Sequence, residues 1–237
     1  MTDLAGDGIL AAPGAWTFNS EEVALSFDDH VSKSVPFYNE GHLLVHQLSD
    51  YFLHDNSSVL DLGCSTGSLL RALASRHSNI NTSFVGYDQS IEMLDVAKNR
   101  TSDSRISYSS DSFLTSSFES TSLITSYYTL QFIHPSVRQK FFDHIYSSLE
   151  WGGGFIFFEK VRAPDARFQD ICNSLYSEFK TLKGYTPSEI HAKSLSLRGR
   201  LEPFTSAANL DFASRAGFTD IISIFKYICF QGFLCIK

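Results

Sequence analysis

A short apolar segment, Ser58–Leu62, runs directly into a turn at 63–67 that begins and ends with glycine, and a helical pattern follows. Glycine adopts backbone conformations that other residues avoid, and it lets a ligand come close to the main chain. The first turn of the following helix presents N–H groups that have no partner within the helix. The sequence therefore predicts a strand–turn–helix unit that binds a ligand at the end of the strand.

Further apolar segments alternate with helical patterns, and they lie at 82–88, 105–110, 122–128 and 154–161. Strands and helices in this alternation predict a parallel sheet with helices on both faces. Two closing segments, 219–228 and 230–237, have almost no residues between them, so the last strand must run antiparallel to its neighbour. We therefore expect a Rossmann-like, doubly wound α/β sheet of seven strands in which the last strand is antiparallel.

The chain of 237 residues suits one domain. Its expected parts are an N-terminal helical cap (1–56), a ligand-binding core (57–161), a helical insertion (162–204) and a closing helix with a strand pair (205–237). Within the core, the run Trp151-Gly-Gly-Gly154 predicts that the helix over 135–149 ends there in a turn.

Composition argues against several classes of function. Hydrophobic residues at 43% and charged residues at 19% are typical of a globular chain. A net charge of −7, with no strong run of Lys or Arg, argues against a nucleic-acid partner. The longest apolar stretch falls short of the roughly 18 residues of a membrane span, and the N-terminus is unlike a signal peptide, so we expect a cytoplasmic protein. The sequence leaves open whether the closing strands pair two copies of the chain into a homodimer.

Metal chemistry is not expected. The four cysteines lack the CxxC spacing of a zinc site, and we interpret them as reduced thiols. His42 and His46 stand four apart on a predicted helix, but no third ligand is evident.

Carboxylates follow the second and third strands. Asp88 lies 21 residues after Gly67, where an acidic side chain can bind both hydroxyls of a ribose; the alternative is that it caps the next helix. Asp111 follows the third strand and could read an adenine amino group; the alternative is a loop residue. Tyr127 ends the fourth strand, on the edge of the sheet where ligands bind in doubly wound folds.

These residues carry a family resemblance. The pattern Asp61-x-Gly63-x-Ser65-x-Gly67, together with the two later carboxylates, resembles class I S-adenosylmethionine (SAM)-dependent methyltransferases. More narrowly, the chain is similar to carboxy-S-adenosylmethionine synthases from Trp16 to the C-terminus. Ser34-Val35-Pro36-x-Tyr38 and Thr129-Leu130-Gln131-Phe132 are the more specific elements.

The resemblance implies that SAM is bound as substrate or methyl donor, that a small molecule is the substrate and that no metal takes part. It implies a SAM-binding set made up of Tyr38, Asp61, Gly63, Cys64, Ser65, Gly67, Asp88, Gln89, Asp111, Ser112 and Tyr127. Cys64 is expected to serve as a small residue that fits the turn.

The chain departs from that family at three positions. Family members join a carboxylate from prephenate to the SAM methyl group, and an Arg anchors the product; Ser194 stands at that position here, although Arg198 and Arg200 lie nearby. Tyr176 stands where the family tends to carry His, and Tyr127 where it tends to carry Asn. The pocket is therefore expected to be more aromatic, with Tyr38, Tyr127 and Tyr176 as catalytic candidates and Tyr176 facing the sulfonium.

Three reactions fit these features. In the first, SAM cyclises to azetidine-2-carboxylate and releases methylthioadenosine, because aromatic walls hold the sulfonium and favour a folded conformer. In the second, a methyl group passes to a small molecule with His134 as a base. The third is carboxy-SAM synthesis, against which Ser194 argues. A non-catalytic SAM-binding protein is the fourth reading. We rank cyclisation first, since the cap is kept and the carboxylate anchor is lost.

Overall fold

The computed structural model describes residues 17–118 and 120–237. Helix α1 (Glu21–Ser34) begins at Ser20, whose hydroxyl accepts the N–H of Val23, and α2 (Tyr38–Ser49) follows after a break at Val35 and Pro36. Trp16, the first residue of the resemblance, lies outside the described residues.

The seven strands form one sheet, as the sequence predicts, and their order in it is β3-β2-β1-β4-β5-β7-β6. They are β1 (Ser58–Leu62), β2 (Ser83–Tyr87), β3 (Ile106–Ser109), β4 (Thr121–Tyr127), β5 (Leu149–Lys160), β6 (Asp220–Tyr227) and β7 (Phe230–Ile236). Strand β7 pairs antiparallel with both β5 and β6, which confirms the predicted direction of the last strand. All other pairings are parallel.

Helices cover both faces of this sheet. They are α3 (Ser68–Arg76), α4 (Ile91–Asn99), α5 (Arg138–Ser148), α6 (Ala166–Leu182), α7 (Pro187–Ser196) and α8 (Ser206–Ala216). Alternate residues of β5 point to opposite sides: Phe155 and Phe157 pack with α5 and α8, whereas Ile156 and Phe158 pack with α2 and α3. Among the described residues, no helix is both long and apolar enough to cross a bilayer.

The turn predicted at Trp151-Gly-Gly-Gly154 is wrong. Helix α5 ends earlier, at Ser148, and the glycines lie inside β5, where the pairing with β4 shifts register between Thr121 and Leu123. A Cβ on Gly154 would lie 2.8 Å from the ring of Phe52, so this glycine makes room for a core side chain. The glycines serve a β-bulge and close packing, which a turn motif resembles in sequence.

Helices α1, α6 and α7 are joined over the carboxyl ends of the central strands. The hydroxyl of Tyr185, which precedes α7, lies 2.7 Å from Ser34 Oγ at the end of α1. On α6, Tyr176 donates a hydrogen bond of 2.9 Å to the Ser34 carbonyl. Because both bonds converge on one residue, the end of α1 is fixed to the segment between β5 and β6.

Candidate active site

A cavity of about 1380 Å³ lies at the carboxyl ends of β1, β2, β4 and β5, with α1, α6 and α7 beside it. This is the edge at which ligands bind in doubly wound sheets. Nine of the predicted site residues line it: Tyr38, Asp61, Gly63, Cys64, Ser65, Asp88, Gln89, Tyr127 and Tyr176.

The turn after β1 depends on glycine for packing within the protein. Gly63 and Gly67 have φ angles of +78° and +71°. A Cβ on Gly63 would lie 2.1 Å from Thr129 Oγ1, and one on Gly67 would lie 2.3 Å from the hydroxyl of Tyr108. The N–H groups of Gly63 and Cys64 both donate to the Tyr87 carbonyl at the end of β2. The turn is thereby joined to the neighbouring strand.

Asp88 links the same turn to the start of α4. Its Oδ2 accepts the backbone N–H of Ser65 at 2.8 Å, and its Oδ1 accepts that of Ser90 at 2.9 Å. The helix cap itself is Ser90, which accepts the N–H of Met93, so the alternative role of Asp88 as the cap is wrong. Burial raises the pKa of Asp88, and its two backbone hydrogen bonds oppose that shift. A carboxylate has about four acceptor positions, so acceptors remain for ribose hydroxyls.

Asp61 is the most buried carboxyl group in the cavity wall, with 2% of its surface exposed. Burial raises its pKa to about 7, a hydrogen bond from Thr125 opposes the shift, and the charge of Asp88 adds to it. Thr125 Oγ1 donates to Asp61 Oδ1 at 2.8 Å. Asp61 therefore titrates near neutral pH, and a cation bound nearby would favour its ionised form.

Four rings, of Tyr38, His42, Tyr127 and Tyr128, form an aromatic cluster in the cavity wall. The Tyr127 ring centroid lies 5.1 Å from that of Tyr38, 4.5 Å from that of His42 and 4.8 Å from that of Tyr128. The Tyr127 hydroxyl donates to the Tyr38 carbonyl at 2.7 Å. Burial raises the pKa of all three phenols and lowers that of His42 to about 3. The cluster is therefore uncharged at neutral pH.

Tyr176 lies in the cavity wall between two lysines. The Nζ atoms of Lys160, at the end of β5, and Lys180, on α6, are each 4.6 Å from the centroid of the Tyr176 ring. Burial lowers the pKa of both lysines, that of Lys180 to about 8 with a contribution from the charge of Lys160. A sulfonium over this ring would meet two further cations, so the aromatic cluster is the better place for it.

Other predicted residues lie elsewhere. Gly67, Asp111 and Ser112 do not line the cavity; Asp111 is exposed and accepts a hydrogen bond from Ser109 Oγ at 2.9 Å. His134 does line it, but its Nδ1 accepts the backbone N–H of Ser136 at the start of a 3-10 turn. Over residues 17–118 and 120–237, no group of three His, Cys, Asp or Glu side chains could hold a metal ion.

Ser194 lines the cavity together with Arg198 and Arg200. The lining residues that were not among the predicted site residues include His42, Tyr128 and Lys180. Tyr128 has a φ of +61°, which is unusual for a bulky residue and typical of strained functional positions. Tyr128 adjoins the predicted Tyr127, and Lys180 lies in the predicted helical insertion, but no local pattern placed either residue in the cavity.

Known proteins are similar to this chain in sequence or in fold. Residues 59–153 match the model of a methyltransferase domain. The carboxy-S-adenosyl-L-methionine synthase of Staphylococcus epidermidis is 40% identical over 95% of this chain and 98% of its own. The one of Campylobacter lari is 37% identical over 91% and 92%.

Among solved structures, human N-acetylserotonin methyltransferase in complex with SAM aligns with a TM-score of 0.63 at 19% identity; it is matched over 96% of this chain and 61% of its own. That likeness supports the fold, and the curated relatives carry the assignment to a family because they match over almost their whole length. The chain therefore belongs to the carboxy-S-adenosyl-L-methionine synthase family, whose members are SAM-dependent enzymes of the methyltransferase superfamily.

Proposed function

We propose that this protein acts on SAM itself and cyclises it to azetidine-2-carboxylate. The α-amino nitrogen forms a bond to the γ-carbon of the methionine chain, and the bond between that carbon and sulfur breaks. The electron pair of the broken bond stays on sulfur in methylthioadenosine, and the proton of the ammonium passes to solvent.

The residues of the cavity fit SAM. Asp88 accepts two hydrogen bonds from the backbone. Because a carboxylate has about four acceptor positions, the others are available to the ribose hydroxyls. Ser65 and Gln89 lie beside it in the cavity wall. Asp61 and the aromatic cluster follow at the ends of β1 and β4, where a carboxylate and ring faces can stabilise a sulfonium.

The observation that carries the cyclisation proposal is the uncharged aromatic cluster beside Asp61. Its three phenols are protonated and His42 is neutral at physiological pH, so the cluster offers ring faces without an anionic nucleophile. Burial that disfavours charge on these groups would also disfavour the ammonium form of the SAM amine. Proximity lowers the activation barrier further, because the site holds the reacting nitrogen and carbon of one molecule close together.

Carboxy-SAM synthesis is the second candidate. The names of the curated relatives favour it, and so does the size of the cavity. A volume of about 1380 Å³ exceeds the roughly 300–1,000 Å³ of a site for one small molecule, which leaves room for a second substrate. Ser194 opposes it, because a hydroxyl cannot replace the guanidinium fork that binds a carboxylate.

The test incubates the pure protein with SAM alone, with SAM and prephenate, and with SAM and candidate methyl acceptors. Azetidine-2-carboxylate must be measured directly, since SAM also decomposes in solution to methylthioadenosine. Azetidine-2-carboxylate from SAM alone supports cyclisation. Carboxy-SAM that requires prephenate would replace this proposal with the second candidate, and S-adenosylhomocysteine that requires an acceptor would replace it with methyl transfer.

A further inference from the structure

Two lysines meet at one ring inside the cavity. Lys160 ends β5 and Lys180 lies on α6, and their Nζ atoms are both 4.6 Å from the centroid of Tyr176. The hydroxyl of Tyr176 donates a hydrogen bond of 2.9 Å to the Ser34 carbonyl, so the ring has a fixed orientation. All three residues line the cavity.

These ammonium groups lack a carboxylate partner in the part of the chain that the structure describes. The ion pairs of the described residues include neither Lys160 nor Lys180. Lys180 has only 8% of its surface exposed. A buried cation is costly unless an anion or hydrogen-bond acceptors compensate it, and a ring face compensates only in part. The pair therefore has capacity for an anion that enters the cavity.

The position of the two lysines relative to the sheet indicates which kind of ligand carries that anion. Asp88 follows β2 and Lys160 ends β5, with β1 and β4 between them. Three strand spacings amount to about 14 Å, and the long lysine side chains can shorten that distance. The cavity thus has a carboxylate that suits a ribose at one end and two ammonium groups that suit a carboxylate at the other.

We propose that Lys160 and Lys180 form a carboxylate-binding site within the cavity. This inference rests on the proposed use of SAM, but it does not require cyclisation. The carboxylate is either the α-carboxylate of SAM or that of a second substrate. If it belongs to SAM, then Asp88 holds the ribose and the lysine pair holds the α-carboxylate, and fixing SAM at both ends limits the positions that its amine can take.

The first arm of the test measures binding of SAM and of decarboxylated SAM by calorimetry. Wild-type protein and the variants Lys160→Met, Lys180→Met and Lys180→Arg are compared. Lys183→Met is the matched control, because Lys183 follows the same helix and does not line the cavity. If SAM supplies the carboxylate, wild type prefers SAM by about 10- to 100-fold. Both Met variants lose that preference, whereas Lys180→Arg and Lys183→Met retain it.

The second arm covers the other source. Succinate is titrated onto protein that is saturated with decarboxylated SAM. If the site serves a second substrate, succinate binds wild type and Lys183→Met. It then binds neither Lys160→Met nor Lys180→Met. Circular dichroism and melting temperature show that each variant is folded. The inference is overturned if folded Met variants match wild type in both arms. Failure of cyclisation alone would appear as absent product with the lysine-dependent binding intact.

Discussion

Asp88 Oδ2 accepts the backbone N–H of Ser65 at 2.8 Å, so the carboxylate at the end of β2 is tied to the turn after β1. One side chain thereby joins the turn that the sequence predicts to bind the ligand to the position that it predicts to bind the ribose. Replacing Asp88 removes the proposed ribose contact and also loosens this turn.

We expect Asp88→Ala to weaken SAM binding by about 10- to 100-fold, as measured by calorimetry, because charge-assisted hydrogen bonds are lost. Asp95→Ala is the control: Asp95 is exposed on α4 and does not line the cavity. Equal affinity of the folded Asp88→Ala variant and wild type would refute the ribose assignment.

The raised pKa of Asp61 predicts that the free energy of unfolding depends on pH. Its pKa is raised from 3.8 to about 7, so the folded state holds this proton more tightly than the unfolded state. Its contribution to the free energy of unfolding is therefore largest below pH 4 and declines as the pH rises through 7, with a slope of at most about 1.4 kcal/mol per pH unit. Urea unfolding between pH 4 and 8 should show a flatter profile for Asp61→Asn. Parallel profiles for the two proteins would place the pKa of Asp61 near its ordinary value.

Gly63 tests whether the turn after β1 needs glycine for space as well as for its positive φ. Gly63→Ala would place a Cβ 2.1 Å from Thr129 Oγ1, whereas Gly152→Ala has a similar φ, +81°, and no atom within 4 Å. We expect Gly152→Ala to cost about 1 kcal/mol and Gly63→Ala several kcal/mol in unfolding experiments. Similar losses in both variants would mean that φ alone accounts for the requirement.

Tyr127 separates the role of a ring from that of a hydroxyl. Tyr127→Phe keeps the ring face and removes the hydrogen bond to the Tyr38 carbonyl, while Tyr127→Leu removes both. If the aromatic cluster holds a sulfonium, Tyr127→Leu should bind SAM more weakly than Tyr127→Phe, by about 2- to 30-fold. Because S-adenosylhomocysteine lacks the positive charge, the two variants should differ much less in binding it. A difference of the same size for both ligands would point to packing.

The sheet was predictable because its signals are local. Apolar segments such as Ser58–Leu62 and the short connection before β7 fix strand positions and direction within a few residues. The glycines at 152–154 misled, because Gly154 accommodates the ring of Phe52, a residue distant in sequence. Lys180 lies on a mostly exposed helix, and its place in the cavity depends on how that helix packs across the sheet, which no local pattern records.

The most direct measurement follows the fate of SAM that is isotopically labelled in its methionine chain, with purified protein and no other substrate. The account predicts that the label appears in azetidine-2-carboxylate in equal amount to the methylthioadenosine released by the enzyme, at a rate that Asp88→Ala strongly reduces. Label that stays in SAM until prephenate or a methyl acceptor is added would contradict it.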